Sequence, residues 1–299
     1  MMMMMMKTLY FEEAPHKNIQ KFSTQLLKWV GNKQRFAHEI VGSFPSNFNR
    51  YYEPFLGSGA ILSTLSPKKA LASDAFLPLI EIFQTLKNEP ETLKDWYRER
   101  WEIANGEIKK EGYEKIKHNY NENPNAPDLL FLCRSCYGGV VRFRIRDGYM
   151  STPCGVHSPI KPESFNKRTD IWHERLRHTD FALMDYRESM RQAKLGDMIY
   201  CDPPYKHSQA ILYGGQNFKL EELLDEIENC KKRGVYVALS IDGTKKSGEK
   251  ICDLPIPKGL FEEEIYVNLG RSMLKRFQME GKTLENEIVT DRLLLTYKL

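Results

Sequence analysis

The chain has 299 residues, 41% hydrophobic and 28% charged, a composition that excludes both a disordered polymer and a membrane-embedded bundle. Its formal net charge of +4 permits contact with a polyanion without demanding it. The six cysteines follow no secretory signal, which predicts reduced thiols and a cytoplasmic protein rather than a disulfide-stapled secreted one.

The opening run Met1 to Met6 reads as a disordered tail, and no stretch approaches the roughly 20 apolar residues of a membrane span. A helix is predicted over 25–41, with Leu26, Leu27, Phe36 and Ile40 at helical spacings and Gly42 and Pro45 as the stop. Tyr51 and Tyr52 begin a strand that runs into Glu53-Pro54-Phe55-Leu56-Gly57-Ser58-Gly59-Ala60, a glycine turn ahead of an apolar helix. The next strand, over 70–73, closes on Asp74, and a helix carrying Leu77, Leu79, Ile80, Phe83 and Leu86 follows. This alternation predicts an α/β fold with a mostly parallel sheet.

From 89 to 178 the periodicity changes. Charged helical stretches over 93–104 and 111–120 lead to a loop over 121–127. Then Val140-Val141-Arg142-Phe143-Arg144-Ile145-Arg146 alternates basic with apolar residues and meets Asp147-Gly148, a hairpin signal. This segment is predicted to be an inserted module, and 1–88 with 179–299 to be the α/β domain. The α/β pattern resumes with strands over 181–184 and 198–201, a helix over 219–232 and a strand over 235–240. Strands over 264–268 and 288–297 close the chain as an antiparallel edge hairpin.

Two motifs carry chemistry. The glycine turn suits a nucleotide-type ligand, because glycine allows tight turning and close approach to the main chain. It lacks the third glycine of a dinucleotide fingerprint and the Lys-Ser/Thr of a P-loop, so neither NAD nor ATP is supported. Asp74 is placed either to accept from a ligand ribose or to cap the helix after it. The more specific motif is Asp202-Pro203-Pro204-Tyr205, directly after the apolar strand 198–201. The prolines fix the backbone and aim the Asp202 carboxylate, while Tyr205 offers a stacking face. Such acceptors suit the exocyclic amine of an aminopurine; the plain alternative is a proline-rich turn ending a strand. Cys133 and Cys136 form a C-x-x-C, yet Cys154 and His157 supply no second pair, so no metal is expected.

Together these motifs resemble the Dam-like, alpha-group family of adenine-N6-specific DNA methyltransferases over nearly the whole chain. Lys28-Trp29-Val30-Gly31-Asn32-Lys33 matches the family's K-W-x-G-x-K, Glu53 to Ala60 its E-P-F-x-G-S-G-A, and Asp202 to Tyr205 its D-P-P-Y. Residues 131–139 are similar to its F-L-N-R-x-x-F-N-G stretch, with Cys133 in place of Asn. The resemblance implies a Rossmann-like sheet using S-adenosylmethionine, with an antiparallel edge strand and an inserted helical plus hairpin target-recognition module. It implies cofactor contacts from Trp29, Lys33, Glu53, Phe55, Gly57, Gly59, Asp74, Asp185, Tyr186 and Asp202, Asp185-Tyr186 matching the Asp-Phe pair that reads the cofactor adenine. Catalysis falls to Asp202, Pro203, Pro204 and Tyr205, acting on an adenine flipped from double-stranded DNA. DNA contacts are expected from Arg134, Tyr137, Arg142, Arg144 and Arg146, for which the alternative is a solvated basic face. The expected protein is a monomer, with a cognate restriction endonuclease as the further partner a restriction-modification system would add. A cytosine-N4 methyltransferase and a catalytically silent DNA-binding module are the competing readings.

Overall fold

In the computed structural model, which describes residues 19–105, 109–144, 146–204, 218–245, 250–251, 256–271 and 288–299, three short strands set the architecture. β1 (Tyr51–Glu53) pairs in parallel with β2 (Ala70–Asp74) on one side and β4 (Met198–Cys201) on the other, Tyr51 standing opposite both Ala70 and Met198. β3 (Thr179–Leu183) extends the sheet beyond β2, and β5 (Tyr236–Lys245) extends it beyond β4, both parallel. β8 (Ile288–Leu295) lies antiparallel between β5 and β7 (Glu263–Arg271), giving the order β3-β2-β1-β4-β5-β8-β7, with β6 (Lys250–Ile251) as a short strand on β5. The last strand is therefore an inner one, and β7 forms the edge. The chain runs outward from β1 to β3 and then returns to β4, so the topological switch lies between β1 and β4, where open α/β sheets bind ligands beyond the strand carboxyl ends.

Side-chain alternation sorts the core into two layers. Tyr51, Ala70, Ala72, Met198, Tyr200 and Ala238 face one side, and Tyr52, Leu71, Ile199, Cys201, Val237 and Leu239 face the other. The second layer lies under α8 (Tyr186–Gln192) and α9 (Leu220–Lys232), which contribute Met190, Leu223, Leu224 and Ile227. The first is covered by α1 (Ala37–Gly42), α2 (Ala60–Leu65), α3 (Leu77–Asn88), α4 (Pro90–Ala104), α5 (Lys109–Glu122), α6 (Ala126–Ser135) and α7 (Pro162–Leu176). The helices of 89–178 thus share one continuous core with the sheet: Tyr97, Tyr113, Leu130 and Trp172 belong to the same buried cluster as Tyr51.

Three expectations are corrected. The helix over 25–41 shrinks to α1, because the carbonyls of Thr24, Gln25 and Leu26 are taken by Trp172 Nε1, Arg134 and Arg168. A turn follows, with Gly31 at φ 73 and the Asn32 side chain accepting from Gln34 N–H at 2.7 Å. Both features remove the i to i−4 ladder a helix needs. Over 140–151 the expected hairpin exists, but as a loosely paired excursion: Phe143 and Met150 form an isolated bridge, and Arg144 N–H donates to Tyr149 O. Its outgoing arm is fixed by a side chain instead, the Asn121 amide pairing with both the N–H and the C=O of Met150 at 2.6 and 3.1 Å. Finally, the loop expected over 121–127 narrows to 123–125, between α5 and α6. α6 is buried on nearly every side, so its apolar run has no period to read, and Asn125 caps it by accepting from Asp128 N–H. Met1 to Met6 and Tyr205 lie outside the described residues.

Candidate active site

The carboxyl ends of β1 and β4 open into a cavity of ≈ 730 Å³, inside the range of about 300–1,000 Å³ typical of small-molecule sites. Gly57 and Asp202, far apart in the chain, both line it. The glycine turn is built locally. Gly57 and Gly59 take left-handed backbone at φ 48 and 66, a region that a side chain disfavours. A Cβ on Gly57 would only touch Trp29, whereas one on Gly59 would stand 3.2 Å from the Phe83 ring and 3.4 Å from Trp172. Gly59 therefore faces the core and serves the turn, while Gly57 and Ser58 face the cavity.

Asp74 answers the choice left open by the sequence. Its carboxylate accepts from Gly57 N–H at 3.1 Å and Phe76 N–H at 3.2 Å, tying β2 to the glycine turn rather than capping α3, whose N-cap is Phe76. Burial pushes it up to about 6 against the N–H donors of Gly57, Phe76 and Ala75. Glu53, at the end of β1, is buried beneath the cavity and accepts from the Tyr51 hydroxyl at 2.7 Å. Burial drives its carboxyl up to about 8, with the Asp202 charge adding to the rise and the Tyr51 hydroxyl opposing it.

Both carboxyls hold a proton more tightly in the folded chain than in the unfolded one, where Glu53 titrates near 4.5 and Asp74 near 3.8. Between those values and the folded ones the unfolded chain has released protons that the folded chain keeps. Stability from these groups is thus full below the unfolded values and falls until about pH 8. The expected result for Glu53→Gln is a smaller fall in melting temperature between about pH 5 and about pH 8 than in the parent, read by thermal scans across that range. An equal or steeper fall would contradict the assignment.

Trp29 and Lys33 arrive from the turn that interrupts the amino-terminal segment. Lys33, 5% exposed, pairs with Asp202 Oδ1 at 3.0 Å and reaches Gly31 O at 3.4 Å. The remaining walls divide by chemistry. Phe55 stacks on Tyr186 with ring centres 5.1 Å apart, and Phe218 meets both edge-on at 5.9 Å, forming an aromatic corner. Asp185 beside it caps α8 through Arg187 N–H, and the hydrogen-bonded Arg187 guanidinium holds its carboxyl below the usual range. Pro204 lines the wall next to Asp202, and Pro203 is buried. The far wall comes from 89–178: Tyr120, Asn121, Phe143 and Tyr149, with Phe143 edge-on to Phe76 at 5.7 Å.

Of the residues singled out in the sequence, Trp29, Lys33, Glu53, Phe55, Gly57, Asp74, Asp185, Tyr186, Asp202 and Pro204 share this cavity. Phe218, Arg187, Glu222 and Asn121 are wall residues that no motif marked, and Phe143 and Tyr149 join them from the hairpin. Arg134 is buried, its guanidinium spent on the Gln25 and Leu26 carbonyls, so it braces the amino-terminal segment. Tyr137 is exposed beside Gly138 and Gly139. Arg144 pairs with Asp147 and stacks at 4.1 Å on Tyr149, Arg146 pairs with the same carboxylate, and Arg142 is half-buried on the incoming arm. Among the described residues no group of three or more His, Cys, Asp or Glu could hold a metal, and no helix is long and apolar enough to cross a membrane.

The chemistry available is an acidic, hydrogen-bonding pocket with an aromatic corner and the Lys33-paired Asp202 carboxylate, joined to a second, aromatic wall. Comparison with known proteins gives it a family. The chain is 26% identical over 254 residues to the type II methyltransferase M1.LlaDCHI of Lactococcus lactis subsp. cremoris, covering 77% of this chain and 85% of that protein. It is 26% identical over 261 residues to the DNA N-6-adenine-methyltransferase of Escherichia phage P1, covering 81% of this chain but 33% of that longer protein. To the DNA adenine methylase of Vibrio cholerae O395 it is 27% identical over 226 residues, covering 72% of this chain and 79% of that protein. The family model of D12 class N6 adenine-specific DNA methyltransferases matches residues 29–266, a span that begins at Trp29, contains every wall of the cavity and ends within β7. The chain therefore belongs to the D12 class of N6 adenine-specific DNA methyltransferases.

Proposed function

We propose that the chain methylates the N6 amine of an adenine rotated out of double-stranded DNA, with S-adenosylmethionine as methyl donor. The observation that carries this reading is the placement of Asp202 and Gly57 in one cavity, on either side of the sheet's switch point. The residues present fit the cofactor. The Phe55, Tyr186 and Phe218 corner offers a face for an adenine ring, Asp74 and Asp185 offer acceptors for ribose hydroxyls and the exocyclic amine of that ring, and Glu53 and the glycine turn border the space between. When bound, S-adenosylmethionine supplies a methyl group made electrophilic by its sulfonium.

The protein's own contribution centres on Asp202. The N6 lone pair is delocalised into the purine ring, so the amine needs an acceptor that localises the pair and stabilises the positive charge growing on nitrogen. Asp202 serves as that acceptor, aimed by Pro203 and Pro204, and Lys33 holds the carboxylate in place through the 3.0 Å pair. A duplex base cannot reach that edge, so the target rotates out and is received between the Asp202 end of the cavity and the wall from 89–178, which we assign as the DNA-facing module. Tyr205 is the stacking partner in this reading. Arg142, Arg144, Arg146 and the exposed Tyr137 address the duplex, phosphate contacts giving affinity and base contacts giving site choice.

Hydrolysing DNA treated with the protein and labelled S-adenosylmethionine to nucleosides tests the reading. Label in N6-methyl-2′-deoxyadenosine supports it; label in N4-methyl-2′-deoxycytidine, or none in the presence of bound cofactor, defeats it. Lys33→Met is expected to lower kcat/KM about 10²-fold, with partial recovery in Lys33→Arg, since the acceptor loses its positioning cation. Undiminished turnover in Lys33→Met would remove Lys33 from the mechanism.

A further inference from the structure

The root of the hairpin carries a cysteine on each arm. Cys136 directly follows α6, Cys154 ends the outgoing arm, and the two stand opposite each other as an isolated antiparallel pair. Tyr137 N–H donates to Pro153 O at 2.8 Å and Gly155 N–H to Ser135 O at 2.9 Å, so the hydrogen bonds flank the cysteines. They occupy the non-hydrogen-bonded position, where Cα atoms approach to about 4.5 Å and the side chains lie closest. A disulfide tolerates Cα separations of about 4.4–6.8 Å, so this pair can be bridged without moving the main chain. The arms are tightly apposed: a Cβ on Gly155 would stand 2.7 Å from Ser135 O.

Both thiols are free, Cys136 buried and Cys154 half-buried, which makes Cys154 the one an oxidant reaches first. Cations stand by each. Burial, the largest influence, raises both thiols; Lys28 beside Cys136 and Lys109, Lys117 and Lys110 beside Cys154 oppose it in part, while Glu114 adds to the rise at Cys154. Cys133 is fully buried within α6, among the residues of the main core.

We propose that Cys136 and Cys154 form a redox-modification site, in which a hydroperoxide joins them into an intrachain disulfide that locks the root of the hairpin. The Cys154 thiolate attacks a peroxide oxygen, the O–O bond breaks and hydroxide leaves, giving a sulfenic acid. The Cys136 thiolate then attacks that sulfur, the S–S bond forms, and the S–O bond breaks with loss of a second hydroxide. With the two thiol protons the products from hydrogen peroxide are one disulfide and two waters; the sulfurs together give up the two electrons the peroxide takes. The ring so closed contains Tyr137, Arg142, Arg144 and Arg146, on a segment whose arms pair through the isolated bridges at Cys136 and Phe143 and through the hydrogen bonds of Thr152 Oγ1 with Arg142 N–H and Val140 O. Oxidation thereby adds a covalent tether at the root of a segment otherwise held by hydrogen bonds.

The test treats the full chain with hydrogen peroxide, alkylates the remaining thiols and maps the peptides by mass spectrometry. The expected product is a Cys136–Cys154 linked peptide, lighter by two hydrogens, cleaved by dithiothreitol, absent from Cys154→Ser and retained in Cys133→Ala. Hydrogen exchange over 137–153 is expected to slow about tenfold in the oxidised protein and to recover on reduction. Recovery of both cysteines as separate alkylated or over-oxidised peptides in protein that keeps its native circular dichroism would overturn the proposal, as would a linkage through Cys133 instead.

Discussion

Asp202→Asn is expected to lower the rate of methyl transfer by about 10³-fold or more while leaving the chain folded and able to bind labelled S-adenosylmethionine. The substitution keeps the shape of the side chain and removes its charge. It also replaces one acceptor oxygen by a donor NH₂, which cannot accept from the target amine. Asparagine is preferred to alanine because its amide oxygen can still accept from the Lys33 ammonium, 5% exposed, a hydrogen bond that alanine would delete. Single-turnover kinetics separates the two contributions: a loss confined to the chemical step supports the acceptor role, and a loss confined to cofactor affinity assigns Asp202 to binding alone. Turnover within tenfold of the parent would sink the proposed mechanism.

Gly59→Val is expected to have the largest effect on stability. Gly59 sits at φ 66, and its Cβ position faces Phe83 at 3.2 Å and Trp172 at 3.4 Å. A β-branched residue in left-handed backbone costs about 1–2 kcal/mol, and forcing its methyls against a packed core adds about 1–3 kcal/mol. A loss of about 3 kcal/mol in urea unfolding is the expected sum. Cofactor affinity should fall with it, because Gly59 N–H donates to Leu56 O at 2.8 Å in the turn that presents Gly57 and Ser58 to the cavity. Gly57→Ala, where the added Cβ meets Trp29 at 3.5 Å, is expected to cost less stability while still narrowing the cavity wall. Equal stability of Gly59→Val and the parent would show that the turn relaxes in a way the close contacts forbid.

The two proposals concern different parts of the molecule. Asp202 lies directly after β4, whereas the Cys136–Cys154 pair lies at the root of the segment that carries Arg142, Arg144 and Arg146. Loss of catalysis in Asp202→Asn and loss of cross-linking in Cys154→Ser are thus independent outcomes.

Local sequence determined what local physics governs. The parallel strands, the glycine turn and the Asp-Pro-Pro strand terminus were legible because each is a short-range pattern: an apolar run, a backbone demand that glycine meets, and prolines that fix φ. The family followed from their order. Three further matters were decided by tertiary contacts. Residues 25–36 have the apolar spacing of a helix, yet Trp172, Arg134 and Arg168, from distant helices, take the carbonyls of Thr24, Gln25 and Leu26, and turns follow at 30–31 and 34–36. Arg134 looked like a basic surface residue and became a buried brace, since charge in a sequence does not say which acceptors will face it. α6 hid because a helix buried all round has no amphipathic period. The cavity itself belongs to this second group: Gly57, Asp202, Phe218 and Tyr149 become neighbours only when β4 returns beside β1 and the 89–178 segment folds over them, and no local pattern encodes that closure.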